Sequence, residues 1–263
     1  MRLSVLDHGH RLRARLFLRL TGRDAPDIVR TLLYRPDFFS RALLAVTAPA
    51  MRGPSYWTEG EREYLAMRTA ELHRCPFCID SHAELTRIAG RGEITPDDPY
   101  SVRPQLRAVR AFLDRTQRPD EVGAAPDLPA AAIDEALRVD LVWNIVNRLA
   151  NAFGFTLRGD QLHSGTRALH RFGYRFPGFL LAGGAHHDDD PIEALRAVRA
   201  PAETEVSRSY SALVREASYR ITDEDIAGLT TAGHSEDDIF ELTVAAAVEA
   251  ALRSYDAGQG ASA

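Results

Sequence analysis

Lysine is absent from the chain. All 32 basic residues among its 263 are arginine, which excludes a Schiff-base lysine and any phosphate-binding loop that depends on one. Genomic base composition is the simplest cause of the arginine excess. Cysteine is almost absent too: Cys75 and Cys78 are the only two. A disulfide scaffold is therefore excluded, and in a reducing compartment a Cys-x-x-Cys spacing reads as redox or metal chemistry. No uncharged apolar run of about 18 residues occurs, so no membrane span is expected. Nowhere is strand-like alternation sustained. Capped helical patterns dominate instead, and an all-α protein is expected. A net charge of −5 gives no broad basic surface, and a nucleic-acid partner is not expected.

What is present is ordinary globular composition, 45% hydrophobic and 26% charged. The N-terminal stretch is basic, without an uninterrupted apolar core or a small-residue cleavage site, so a cytoplasmic protein is expected. Arg11 to Leu20 reads as a basic amphipathic helix. Packing on its own protein or a partner subunit is preferred to contact with anionic membrane.

The chemistry concentrates in 58–90. Thr58-x-x-Glu61 is a capping box that starts a helix running to about His73. Cys75 precedes Pro76 and is pushed out of helical conformation. Pro76 suits the first position of a second helix, with Cys75 as N-cap and Gly90 as its end. Both thiols then lie in a first turn, where unpaired N–H groups favour thiolate and are expected to lower cysteine pKa. Cys78 and His82 are neighbours at a spacing of four. Glu63 shares the preceding helix with Ala66, Met67 and Ala70, so partial burial is expected to raise its pKa and suit it to proton transfer. A zinc site would draw on Cys75, Cys78 and His82, but no fourth ligand is evident and no metal is expected.

The combination of Glu63, Cys75-Pro76-Phe77-Cys78 and His82 resembles the AhpD-like branch of the carboxymuconolactone decarboxylase superfamily, all-α proteins that include alkylhydroperoxidases. The resemblance covers Arg35 to Gly90 well and the later helices loosely. It implies an AhpD-like helical bundle, a homo-oligomer, and a thiol peroxidase acting on small hydroperoxides. Cys78 would be the peroxidatic thiol, Cys75 the resolving thiol, and His82 with Glu63 a proton relay. No cofactor is implied; an external dithiol or protein would act as reductant. Phe77 departs from the His or Tyr often found there. A general thiol-disulfide oxidoreductase and a non-enzymatic redox sensor are the competing readings.

Elsewhere, Asp24 to Leu33, Phe38 to Val46, Leu106 to Thr116, Ala130 to Phe153 and Gln161 to Arg171 read as helices. Pro49, Gly53 and Pro54 read as a loop. Asn144, Asn147 and Asn151, the only asparagines, share a face that reads as interhelix or subunit contact or as solvated surface. His163 and His170 read as solvent or interface residues, Gly173 to Gly184 as a packed loop, and His186 to Asp190 as an exposed acidic loop. Gly183-Gly184 lacks the context of a nucleotide fingerprint. Pro191 to Tyr219 reads as helices broken near Pro201. Thr222 opens a helix, and Ser235 to Asp256 is a final one, with the tail from Gly258 expected to be mobile. A weak internal similarity, about 104 residues apart, suggests a single domain over 1–263 with a degenerate second half near 156–258.

Overall fold

The computed structural model describes residues 1–20, 25–181 and 190–262. These residues are helical and contain no strand, so the protein is all-α. The helices are α1 (Val5–His8), α2 (Leu12–Leu20), α3 (Asp27–Tyr34), α4 (Arg41–Arg52), α5 (Glu59–Leu72), α6 (Pro76–Ala89), α7 (Pro104–Thr116), α8 (Ala130–Phe153), α9 (Gln161–Phe172), α10 (Gly178–Leu181), α11 (Pro191–Arg196), α12 (Glu205–Ala217), α13 (Asp223–Thr231) and α14 (Glu236–Ser262). A π-helical turn, Pro36–Ser40, leads into α4. The Gly183-Gly184 and His186 to Asp189 readings lie outside the described residues, as does the expected helix start at Asp24.

Helix α8 is the axis of the molecule. Eighteen of its 24 residues are buried, so it is apolar nearly all round and must be enclosed on every side. Helices α4, α5 and α14 pack against it, and α14 does so through a run of small residues that includes Ala246, Ala247 and Ala251. One apolar cluster extends from Leu3 to Tyr255. Helix α2 turns Ala14 inward and leaves Leu12, Leu16 and Leu20 exposed. No described helix is long and apolar enough to cross a membrane.

Two boundaries differ from expectation. Pro49 lies inside α4, not in a loop. It falls in the last turn, where one missing N–H costs little continuity, and Gly53 N–H closes the turn onto the Pro49 carbonyl at 2.8 Å. Helix α14 continues to Ser262 instead of ending at Asp256. Gly258 is buried there, and a Cβ at that position would fall 2.3 Å from Leu137 Cδ2, so its bare backbone lies directly on α8.

The asparagine face is an interhelix contact. Asn144 and Asn147 are fully buried. Asn151 Nδ2 donates to the His73 carbonyl at 2.9 Å and to Ser218 Oγ at 3.1 Å. Arg148 donates to the Arg215 carbonyl on α12 at 3.0 Å. One turn earlier, the Asp140 carboxyl accepts from Thr69 Oγ1 at 2.9 Å, Gln117 Nε2 at 3.0 Å and Asn144 Nδ2 at 3.3 Å. Burial nevertheless outweighs these bonds and pushes the Asp140 carboxyl up to about 6. Its ordinary value is about 3.9, so the folded state holds this proton where the unfolded chain has lost it. The group's contribution to stability is complete below about pH 4 and is lost as pH rises through about 6, a change of about 3 kcal/mol. Urea denaturation of wild type and Asp140→Asn across this range should show wild type losing ground to the variant as pH rises. A pH-independent difference would contradict the burial penalty.

Candidate functional site

Helices α5 and α6 form a tight hairpin. The Thr58 hydroxyl accepts from Glu61 N–H, and the Glu61 carboxylate accepts from Thr58 N–H, so the expected capping box is formed. A Cβ on Gly60 would lie 2.6 Å from the Gly90 Cα, so the start of α5 approaches the end of α6 only because Gly60 carries no side chain. Between the helices, Arg74 turns the chain with φ of +51°. Cys75 is extended, at φ −100° and ψ 97°, and serves as N-cap, with Pro76 opening α6.

This hairpin brings the four sequence-predicted residues together. Cys75, Cys78, His82 and Glu63 are all buried, and neither cysteine is in a disulfide. Glu63 reaches across the hairpin: its Oε2 lies 2.8 Å from His82 Nδ1. A carboxylate only accepts, so Nδ1 carries the proton, and in the neutral ring the lone pair lies on Nε2. Three residues beyond the motif complete the constellation. Arg52, at the end of α4, donates from Nη2 to Glu63 Oε1 at 2.5 Å. Tyr174 donates its hydroxyl to Glu63 at 2.8 and 2.9 Å from the two carboxylate oxygens. Trp143, on α8, packs edge-on to the His82 ring, with centroids 3.9 Å apart. It also donates from Nε1 to Met51 Sδ at 3.3 Å.

Tyr174 sits at φ +64°, directly after Gly173 at φ +61°. A left-handed conformation costs a bulky residue about 1–2 kcal/mol, and here the bonds to Glu63 and the Arg52 guanidinium stacked 4.9 Å over the ring hold it.

A cavity of about 730 Å³ opens onto this constellation. Cys78 and His82 line it, whereas Cys75 does not. Val142, Trp143, Leu43 and Leu85 are among its apolar walls. Phe77 lines it as well and packs edge-on against Phe155, with centroids 5.5 Å apart, so this position supplies apolar wall and no proton donor.

The chain matches no family model, no curated protein and no solved structure.

The electrostatics correct two expectations. Burial alone raises the Glu63 carboxyl, but the hydrogen bond and charge of His82, followed by those of Arg52, overcome it and hold Glu63 below its usual range. Glu63 is thus a fixed carboxylate that orients His82, not a carboxyl poised near neutrality. Burial also pushes the Cys78 thiol well above the ordinary cysteine value, aided by the adjacent Cys75 sulfur. Desolvation defeats the helix N-terminus here, because Cys78 lies in the third position of α6 yet is only 1% exposed. Cys78 therefore rests as a thiol, and ionising it requires an acceptor for its proton. His82 lies one helical turn further on and lines the same cavity as Cys78. Tyr174 is also held well above its usual value, by burial and then by the charge of Glu63, so it remains a neutral donor.

Among the described residues, no three His, Cys, Asp or Glu side chains are grouped to hold a metal ion. His163 is exposed and lies 3.5 Å from Glu84. Sequence reasoning missed Arg52, Trp143 and Tyr174. Arg52 and Tyr174 are 11 and 111 residues from Glu63, and no periodicity links them to it.

Proposed function

We propose that the protein is a thiol-dependent peroxidase of the AhpD-like kind, reducing organic hydroperoxides through a Cys78/Cys75 dithiol–disulfide cycle. The observation that carries this reading is the asymmetry of the cavity: it reaches Cys78 and His82 but not Cys75. The substrate side then meets one thiol, with a proton acceptor beside it and a second sulfur behind it.

The reaction begins with relay of the Cys78 proton through water toward His82 Nε2. Glu63 accepts the Nδ1 hydrogen bond throughout and stabilises the imidazolium that forms, as the third member of a nucleophile–base–orienter set. The thiolate attacks the terminal peroxide oxygen, the O–O bond breaks, and the proton returns to the departing alkoxide as alcohol. Cys78 is now a sulfenic acid. Cys75 displaces its hydroxyl as water and forms the disulfide. A small dithiol restores both thiols by exchange and is itself oxidised to a disulfide. Burial of both sulfurs supports a small substrate over direct attack on a folded disulfide protein.

The reading is tested by steady-state consumption of cumene hydroperoxide with dihydrolipoamide as dithiol. Wild type should turn over the peroxide, and His82→Ala should lower the rate by about 10²–10⁴, the usual contribution of a positioned acid–base group. Consumption no faster with protein than without it would sink the proposal.

A further inference from the structure

The cavity is far larger than a small peroxide needs. A water occupies about 30 Å³ of liquid, and this space measures about 730 Å³. Its walls are apolar over most of their length, through residues such as Val29, Leu32, Leu43, Leu85 and Val146. Among the described residues no acidic side chain lines it, and apart from His82 the only ionisable cation lining it is Arg175.

Arg175 both lines the cavity and is exposed, which puts it at the mouth, whereas Cys78 and His82 line the same cavity and are buried. The Arg175 side chain has no ion-pair or hydrogen-bond partner among the described residues. Phe172 and Ala168 are exposed lining residues beside it. A deep apolar passage with one unpaired guanidinium at its opening suits a molecule with a long hydrocarbon body and a single anionic end. Arginine offers a planar fork that matches a carboxylate bidentately.

We infer that the cavity takes free long-chain carboxylic acids, and that the substrate of the site is the hydroperoxide of such an acid. Its carboxylate lies on Arg175 and its hydroperoxy group is carried down the chain to Cys78. The chemistry rests on the peroxidase reading. The acid hydroperoxide and the two thiols give the hydroxy acid, water and the Cys75–Cys78 disulfide. Binding of the chain does not depend on that reading.

The experiment is calorimetric titration of the reduced protein with decanoate, laurate and myristate, none of which can oxidise a thiol. One-to-one binding is expected, tightening about fourfold per added methylene, the factor equivalent to burying one CH₂. Arg175→Gln should weaken laurate about tenfold more than it weakens dodecanol. Ala168→Trp, a substitution at an exposed rim position, should weaken both by closing the entrance. No saturable binding, affinity independent of chain length, or binding undiminished in Ala168→Trp would each overturn the inference; the last would place the ligand on another surface, such as the exposed leucines of α2. A palmitoyl lysophospholipid binding more tightly than palmitate would overturn the assignment to a free acid. Laurate binding with these dependences in a protein that does not consume cumene hydroperoxide would defeat the peroxidase reading and leave the acid site standing. Turnover of cumene hydroperoxide without laurate binding would do the reverse.

Discussion

Glu63→Ala should destabilise the protein by about 3–5 kcal/mol, the range for breaking a buried ion pair by removing one partner. The cause is what remains behind. Arg52 loses the carboxylate that balances its largely buried guanidinium, and the Tyr174 hydroxyl and His82 Nδ1 lose their acceptor. Glu63→Gln should also be costly, because the amide keeps the shape but not the charge facing Arg52. Replacing both charges, in Glu63→Gln with Arg52→Met, should recover much of the loss, since exchanging a whole buried pair is far milder than orphaning half of it. Activity should not return with stability, because the Nδ1 proton of His82 would no longer face a carboxylate.

The effect has a defined pH window. Glu63 is held below its ordinary value of about 4.3, so its stabilising contribution is complete above that value and is lost as pH falls through the folded value. The stability gap between wild type and Glu63→Gln should therefore be widest above about pH 5 and should narrow in acid. Denaturant titrations at several pH values measure it. A gap that widens in acid would contradict the assignment of Glu63 as the buried carboxylate.

The second large effect separates the two cysteines. Cys78→Ser should abolish fast oxidation by hydroperoxide, a loss of at least about 10³-fold, because a hydroxyl cannot replace the thiolate as nucleophile toward an O–O bond. Cys75→Ser should keep the first oxidation step and lose turnover, since the sulfenic acid then has no resolving thiol beside it. The asymmetry follows from the cavity, which Cys78 lines and Cys75 does not. Burial holds Cys78 as thiol, and in the proposed cycle its proton goes to His82 within the site. Removing that acceptor should expose the burial directly. In His82→Ala the thiolate forms only by losing its proton to water, so stopped-flow rates of the first oxidation should climb about tenfold per pH unit from pH 6 to 9. A plateau near pH 6 in that variant would mean an activated thiolate of low pKa and would contradict the burial argument.

Local chemistry made much of this fold legible in the sequence. Thr58 with Glu61 forms the reciprocal bonds its spacing predicts, and Thr222 opens a helix as its N-cap. Pro76 begins α6, and Gly154, at φ +67°, ends α8. Each of these signals acts within one helical turn, where sequence neighbours are spatial neighbours. The features that were not legible depend on distant packing. The helical continuation to Ser262 is fixed by Gly258 lying on Leu137. Tyr174 joins the site only because the chain folds back after α9 into two consecutive left-handed residues. The pKa directions of Glu63 and Cys78 could not be read from their helix positions either. Both are set by how completely water is excluded and by which groups lie near, His82 and Arg52 for Glu63 and the Cys75 sulfur for Cys78. The Cys75–Pro76 junction nevertheless signalled the hairpin from sequence alone, because proline constrains the residue before it whatever the rest of the chain does.

In the proposed cycle Cys78 is the sulfur that meets the peroxide. Reduced Cys75→Ser is treated with one equivalent of cumene hydroperoxide in the presence of dimedone, and the adduct is located by peptide mass spectrometry. A stoichiometric dimedone adduct on Cys78, formed within the time of a single turnover, is the predicted result. Equally slow oxidation of wild type, Cys75→Ser and Cys78→Ser, with no trapped sulfenic acid at Cys78, would contradict it.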